Sequence, residues 1–259
     1  MTKYLLSLQY RGTAYCGFQV QKNGVSVQEK VQDAIEVLYG KRLPVKGCSR
    51  TDAGVHALDF RLSFEDAGDV PRFAAPALPQ ALNAHLPQDI AVRWCTQVAP
   101  EFHVRYDVKS KTYLYLIWNR PVPHVFLQGL CWHVRTPLDV AKMQFAAKAL
   151  CGRRDFRSFA AGACDKEDTV RTVFSFDVTE TDGLLRLRVT ADGFLYNMVR
   201  ILTGTMLEIG AGKRGADAIG LALESTKRSD AGATAPAHGL TLYRVCYEGF
   251  DTQEVLRSL

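Results

Sequence analysis

The amino-acid sequence predicts an α+β fold made of two similar halves, each with a split βαβ (ferredoxin-like) arrangement. The first half shows the order β-α-β-β-α-β, and the second shows a strand, helices, a hairpin and a last strand. Hydrophobic residues make up 47% of the 259 residues and charged residues 23%, as in ordinary globular proteins. We therefore expect a largely antiparallel central sheet, flanked by helices, with a cleft between the halves.

The first half contains the better defined elements. Its strands are expected at residues 3–10, 43–45, 57–64 and 90–98. Apolar side chains follow helical spacing over Val27–Tyr39, where Ser26 and Glu29 form a capping box and Gly40 ends the helix. A second helix is expected over residues 73–83, between prolines.

The second half mixes strands and helices in another order. Its strands are expected at residues 112–118, 172–179, 184–190 and 240–247, and its helices at residues 140–151, 196–209 and 216–224. The dipeptide Asp182-Gly183 predicts the tight turn of a hairpin. We place the first domain at residues 1–105 and the second at residues 106–259.

Composition excludes several classes of protein. The seven cysteines form no Cys-x-x-Cys pair and the histidines show no metal-ligand spacing, so we expect neither a metal nor another cofactor. Apolar runs are too short to span a bilayer, and no secretory signal is expected, which favours a cytoplasmic protein. The net charge of +5 is compatible with a polyanionic partner but does not prove one.

The loop of residues 48–57 carries one basic and one acidic side chain among small residues. Ala53 and Gly54 allow a tight turn and the close approach of a ligand. From composition alone, a surface turn with an Arg50–Asp52 ion pair is the better interpretation, and such a pair stabilises by about 0–1 kcal/mol. His56 stands close to Asp52, and a structural role for it is favoured over that of a base.

A resemblance to a known family favours a functional role for this loop over a simple surface turn. Residues 49–57, Ser-Arg-Thr-Asp-Ala-Gly-Val-His-Ala, resemble the catalytic signature of the TruA family of tRNA pseudouridine synthases. Further matches to family motifs follow in the right order at residues 10–19, 102–105, 111–115, 193–200 and 235–240. Two positions depart from the usual pattern: Phe18 stands where Trp is also common, and Val104 replaces the usual Ala.

The resemblance implies tRNA pseudouridine(38–40) synthase activity, with roles for five side chains. Asp52 is implied as the catalytic carboxylate. Arg50 is implied to contact the RNA and to fill the space that the flipped base leaves. Tyr113 would stack on the target uracil, Arg200 would pair with Asp52, and Leu240 would line the uracil pocket. Whether Asp52 attacks C1′, attacks the ring or removes a sugar proton stays open.

The implied partner is the anticodon stem–loop of tRNA, held by a homodimer. Basic residues in loops and strands are candidate phosphate contacts. The first candidates are Arg11, Lys22, Arg50, Arg153 and Arg154.

Two other functions remain open from the residues themselves. Another RNA-modifying enzyme could use Asp52 as a general base. A non-catalytic protein that binds structured RNA would explain the excess of basic over acidic residues, but not the specific string of residues around Asp52. A methyltransferase is disfavoured because no glycine-rich loop follows the first strand.

Overall fold

The computed structural model describes residues 1–22, 24–68, 71–162 and 168–249. Contacts within the chain divide it into two compact units. The first holds Met1–Lys109 with the described residues from Leu242 to Gly249, and the second holds Ser110–Thr241. The predicted domain boundary between residues 105 and 106 stays a prediction. Of the seven cysteines, Cys164 lies outside the described residues, and the other six are free thiols.

Ten strands and five α-helices occur in the described residues. The strands are β1 (Thr2–Tyr10), β2 (Val45–Gly47), β3 (His56–Asp66), β4 (Ile90–Val98), β5 (Val108–Trp118), β6 (Trp132–His133), β7 (Gly152–Asp155), β8 (Val170–Thr181), β9 (Leu184–Ala191) and β10 (Leu240–Tyr247). The helices are α1 (Val27–Tyr39), α2 (Leu78–Asn83), α3 (Val140–Ala147), α4 (Met198–Gly210) and α5 (Ala218–Ser225). The predicted α+β class is confirmed.

The first unit has a sheet with the strand order β4-β1-β3-β10, and β2 pairs with β3. Strand β1 is antiparallel to both β3 and β4, and β2 is antiparallel to β3. On one face, Phe60 of β3 stacks on Phe18 at 4.1 Å between ring centroids, and Phe64 meets Tyr39 of α1 at 5.6 Å. Since side chains alternate along a strand, the odd-numbered residues of β3 point to the opposite face.

Helix α1 begins and ends as its sequence predicts. The Ser26 hydroxyl accepts a hydrogen bond from the Glu29 backbone N–H, and the Glu29 carboxylate accepts one from the Ser26 N–H. Gly40 ends the helix with a φ of 69°, a left-handed conformation that glycine adopts without strain. The buried residues of α1 include Val27, Val31 and Ile35, which form its predicted apolar stripe.

The second unit has a sheet with the strand order β5-β9-β8-β7, and β6 pairs in parallel with β5. Strands β8 and β9 form the predicted hairpin, with Thr181 opposite Leu184. The turn residues Asp182 and Gly183 have φ angles of 52° and 87°, which are typical of a type I′ turn. Helix α3 packs on α4 and on β8. No helix in the described ranges has the length and apolar character needed to cross a membrane.

Four predicted helices are shorter than expected, among them the helix expected over residues 216–224, which occupies Ala218–Ser225. The helix expected over residues 73–83 is a 3-10 turn, Ala75–Ala77, followed by the six residues of α2, because Pro76 and Pro79 lack the N–H that a longer helix needs. The helix expected to begin at residue 196 begins at Met198, since Asn197 has a left-handed φ of 58°. The helix expected to end at residue 151 ends at Ala147 and continues as a 3-10 turn.

Two short strands are absent from the prediction, and one is displaced. The two-residue β6 and the four-residue β7 are too short to show an alternation of polar and apolar residues in the sequence. The strand expected at residues 43–45 lies at Val45–Gly47 instead, because its ladder with β3 begins only after Pro44.

Candidate active site

The loop of residues 48–55 connects β2 to β3 in the first unit. The two strands pair up to Gly47 opposite Leu62, and one more hydrogen bond joins the Cys48 N–H to the Arg61 carbonyl at 2.8 Å. The chain then leaves the sheet and returns to it at His56. The predicted position of the Ser-Arg-Thr-Asp segment, between two strands, is therefore confirmed.

The segment of residues 10–18 begins at the last residue of β1 and holds this loop through main-chain hydrogen bonds. The Phe18 N–H donates to the Thr51 carbonyl at 3.2 Å, and the Gly54 N–H donates to the Tyr15 carbonyl at 3.3 Å. The hydroxyls of Tyr10 and Thr51 share a buried hydrogen bond of 2.8 Å. Hydrogen bonds on both sides of Asp52 therefore fix its backbone.

Two glycines permit this close approach of the two segments. A Cβ on Gly12 would lie 2.0 Å from the Val55 carbonyl oxygen, and a Cβ on Gly17 would lie 2.5 Å from the Thr51 carbonyl oxygen. Gly17 also has a φ of +108°, which side chains rarely tolerate. The matched motif at residues 10–19 thus serves as the packing surface for the loop.

The same segment is tied to the far edge of the sheet through Asp89. The Arg11 N–H donates to the Asp89 carbonyl at 2.9 Å, and the Tyr15 hydroxyl donates to the Asp89 carboxylate at 2.5 Å. Burial and this hydrogen bond raise the pKa of Tyr15, so its hydroxyl remains a proton donor. Asp89 was missed in the sequence, because nothing there distinguishes it from other aspartates in turns.

At the apex of the loop, Asp52 is half-buried while Arg50 and Ala53 are exposed. The Asp52 carbonyl accepts a hydrogen bond from the Val55 N–H at 3.2 Å, and Gly54 has a φ of +79°. This tight turn holds a carboxylate and a guanidinium two residues apart on a fixed backbone. Such an arrangement can present an acid or nucleophile to a ligand with little reorganisation.

His56 is 3% exposed and supports the loop from its C-terminal end. Its Nδ1 accepts a hydrogen bond of 2.9 Å from the Gly12 N–H. An accepting Nδ1 implies a neutral ring with its proton on Nε2. This geometry supports the structural role that the sequence favoured for His56 over the role of a base.

Tyr113 lies in β5 of the second unit, opposite Val189 of β9. It is 6% exposed, and its ring meets Phe194 edge to face at 5.0 Å between centroids. Phe194 belongs to the matched segment of residues 193–200. The two motifs that contain Tyr113 and Phe194 are therefore in contact within this unit.

Arg200 lies in the first turn of α4 and is half-buried. Its Nε donates to the Ala235 carbonyl at 2.8 Å, and its Nη1 donates to the Asn197 side-chain oxygen at 2.7 Å. These two hydrogen bonds orient the guanidinium. The left-handed backbone of Asn197 sets its side chain in reach of Arg200.

The segment of residues 235–240 packs against β5. The Tyr115 hydroxyl donates to the Pro236 carbonyl at 2.7 Å, and a Cβ on Gly239 would lie 2.5 Å from the Tyr115 ring. Burial raises the pKa of Tyr115, so it remains a neutral donor. Leu240, the first residue of β10, is 6% exposed at the end of this segment.

The candidate RNA contacts are all exposed, as a phosphate-binding role requires. Within the first unit they lie in loops near residues 10–18 and 48–55, and within the second unit they lie on β7, the last strand of its sheet order. They are Arg11, Lys22, Arg50, Arg153 and Arg154. Across the described residues, no three His, Cys, Asp or Glu side chains gather in a way that could hold a metal ion.

Comparison with known proteins gives a consistent result. A family model described as tRNA pseudouridine synthase matches residues 7–107 and 146–248. The tRNA pseudouridine synthase A of Shouchella clausii is 43% identical over 248 residues, which cover 95% of this chain and 94% of that protein. The protein of the same name from Bacillus subtilis is 41% identical over 244 residues, with 93% and 98% covered. The one from a Thermoanaerobacter species is 40% identical over 247 residues, with 95% and 100% covered.

The matched ranges contain most of the candidate site. Asp52 and Arg50 lie in the first range, and Arg200 and Leu240 lie in the second. Tyr113 lies between the ranges, so its assignment depends on the Lys-x-Tyr-x-Tyr motif of residues 111–115.

Proposed function

This chain belongs to the tRNA pseudouridine synthase family, and we propose that Asp52 is the carboxylate with which it isomerises uridine to pseudouridine in tRNA. The observation that carries the proposal is the Asp52 loop. It combines the family's signature string with a backbone that hydrogen bonds hold on both sides of the aspartate. A surface turn with no catalytic role would not need such support.

The reaction explains why so few groups are required. The N1–C1′ bond of uridine breaks, the detached uracil turns, and C5 bonds to C1′. The C5 proton is released and N1 takes up a proton, so the composition is unchanged. No redox change and no net hydrolysis occur, so the balance needs no cofactor. One carboxylate suffices, either as a nucleophile towards C1′ or the ring, or as the base that takes a sugar proton.

The other candidate residues have supporting roles in this proposal. Arg50 contacts the RNA and occupies the space of the flipped base, and Tyr113 stacks on the uracil. Arg200 pairs with Asp52, and its hydrogen bonds to Ala235 and Asn197 support this role because they hold the guanidinium in one orientation. Leu240 forms part of the pocket wall.

The substrate in this proposal is a uridine of the anticodon stem–loop. Exposed arginines and lysines on both units support phosphate contacts, which would make binding sensitive to salt. A homodimer in the cytoplasm completes the proposal, on the family resemblance alone. In light scattering, a complex with the mass of one subunit plus one tRNA would refute the dimer.

The decisive experiment is release of tritium from tRNA labelled at uridine C5. We expect wild-type protein to release it without added cofactor, and Asp52→Asn to lose at least about 10⁴-fold in rate, as when an enzyme loses its essential nucleophile. Binding of tRNA should be retained within a few-fold. Asp33→Asn, in an exposed ion pair on α1, is the matched control and should release tritium at the normal rate.

The outcomes separate the proposed function from its rivals. Normal release by Asp52→Asn would refute the role of Asp52. Failure of the wild type to release tritium from several tRNAs, with binding intact, would identify a non-catalytic RNA-binding protein. Isomerisation conserves mass, so a change in RNA mass would indicate methylation, cleavage or another modification.

A further inference from the structure

A turn at the end of the first unit presents three side chains suited to nucleic acid. Between β4 and β5, the His103 and Tyr106 rings lie 4.2 Å apart at an interplanar angle of 31°. The Arg105 guanidinium carbon lies 5.9 Å from the centre of the Tyr106 ring. Tyr106 is 75% exposed, so most of this large ring faces solvent.

The turn is built by its own polar groups. The Asp107 carboxylate accepts a hydrogen bond of 2.8 Å from the His103 N–H. His103 Nδ1 accepts the N–H groups of both Arg105 and Tyr106, each at 3.2 Å. These bonds fix the backbone of the turn and the His103 ring before any ligand binds, which lowers the entropic cost of binding.

Alternate residues of the same turn anchor it to the unit. Val104 is fully buried, and its carbonyl accepts a hydrogen bond of 2.5 Å from the Tyr247 hydroxyl. Phe102 packs against the Tyr247 ring at 5.2 Å between centroids. Because Phe102 and Val104 supply the apolar contacts, the fold does not require an aromatic ring at Tyr106.

The charge of Arg105 also suits an RNA ligand. Arg105 is exposed, so its charge can meet a phosphate. Exposed aromatic rings beside arginines bind unpaired bases by stacking on any base. We propose that Tyr106, with His103 and Arg105, forms a stacking platform for an unpaired nucleobase of the tRNA substrate.

This base is not the uridine that reacts. Strand β1 runs between the two places: Lys3 Nζ donates to the Phe102 carbonyl at 3.2 Å, and the Tyr10 hydroxyl bonds to Thr51 in the catalytic loop. The seven steps along the strand from Lys3 to Tyr10 span roughly 23 Å at about 3.3 Å per residue. The platform therefore holds a second nucleotide at a distance from Asp52. This inference rests on the proposed function, since it takes tRNA as the ligand.

Binding of tRNA tests the platform. We expect Tyr106→Ala to bind unmodified tRNA about tenfold more weakly, and Tyr106→Phe, which keeps the ring, to bind within about twofold of the wild type. Arg105→Ala should lower the slope of log affinity against log salt by about one, whereas Tyr106→Ala should leave that slope unchanged. Phe145→Ala, which removes an exposed aromatic ring from α3, is the matched control and should bind normally.

Three readouts decide the result. In the tritium assay the loss for Tyr106→Ala should appear mainly in KM, and the thermal unfolding midpoint should match the wild type. Equal tRNA affinity of Tyr106→Ala and wild type would overturn the platform, as would a change in self-association instead of RNA binding. If the platform variants weaken binding but the wild type releases no tritium, the proposed isomerase function fails while the platform stands.

Discussion

The catalytic loop and the turn that carries Tyr106 are both polar segments of the first unit, but they are held in different ways. Main-chain bonds to residues 10–18 surround Asp52, and Thr51 and Val55 beside it are buried. In the turn, two side chains, those of His103 and Asp107, accept the main-chain N–H groups.

The difference follows from what each segment has to do. Bond making at C1′ requires a carboxylate placed to within a fraction of an ångström, so a rigid backbone is favoured. Stacking on an unpaired base tolerates small shifts, because every base presents a flat face. Three substitutions sharpen this comparison, beginning with the greatest expected effect.

The largest effect is expected beneath the loop, at the buried Asp59–Arg61 ion pair. The Arg61 Nη2 and the Asp59 carboxylate lie 2.9 Å apart, and both side chains are at most 2% exposed. Ser7 donates to the same carboxylate at 2.7 Å, and Arg61 lies over the Trp94 ring at 4.2 Å. Burial lowers the pKa of Arg61, and Asp59 opposes that shift. Asp59→Ala should reduce the free energy of unfolding by about 3–5 kcal/mol, because it leaves a buried cation without its partner.

A double variant provides the control for this prediction. Arg61 Nε and Nη1 have no hydrogen-bond partner among the described residues, so the pair is incompletely satisfied. Asp59→Leu combined with Arg61→Met removes both charges and should restore most of the stability in urea unfolding. Equal losses in the single and double variants would contradict the ion-pair explanation.

An intermediate effect is expected at the contact between the loop and residues 10–18. Gly12→Ala would place a Cβ 2.0 Å from the Val55 carbonyl oxygen, and that distance forces the backbone to shift. Since a displacement of about 1 Å can cost about 100-fold in rate, we expect kcat for tritium release to fall by that order. Gly220→Ala, where a Cβ meets nothing within 4 Å, should leave kcat unchanged. A normal kcat for Gly12→Ala would show that the loop does not need this rigid support.

The smallest effect is expected in the turn. Asp107→Ala removes the acceptor of the His103 N–H on an exposed surface. The loss should weaken tRNA binding by about two- to fivefold, because water can replace the acceptor. Fluorescence titration with tRNA measures the change, and kcat should be affected far less than by Gly12→Ala. A loss of kcat as large as that of Gly12→Ala would remove the distinction between the two segments.

Local patterns in the sequence predicted the local features of the fold well. The capping box of Ser26 and Glu29 and the turn at Asp182-Gly183 depend on neighbouring residues only, and both are confirmed. Asp52 was singled out by its surrounding string, and its catalytic role remains a proposal. Two of the shortened helices, α2 and α4, were limited by prolines and by a left-handed Asn197, which compete with helical spacing.

The supports of the candidate site were missed for a common reason. Gly12 and Val55 are 43 positions apart along the chain, so no short sequence pattern reveals their contact. Asp59 and Arg61 alternate with apolar residues, as in an ordinary strand whose polar face is exposed, although both side chains are buried.

The sequence by itself determined the α+β class, the order of the longer elements, the family and the identity of the candidate carboxylate, because residues close together along the chain specify all of these. Only the tertiary structure decided which segments hold the Asp52 loop, which charges are buried, and that Tyr106 rather than Phe102 faces solvent. Those features depend on contacts between distant residues, whose strength is set by burial and by packing distance rather than by local sequence.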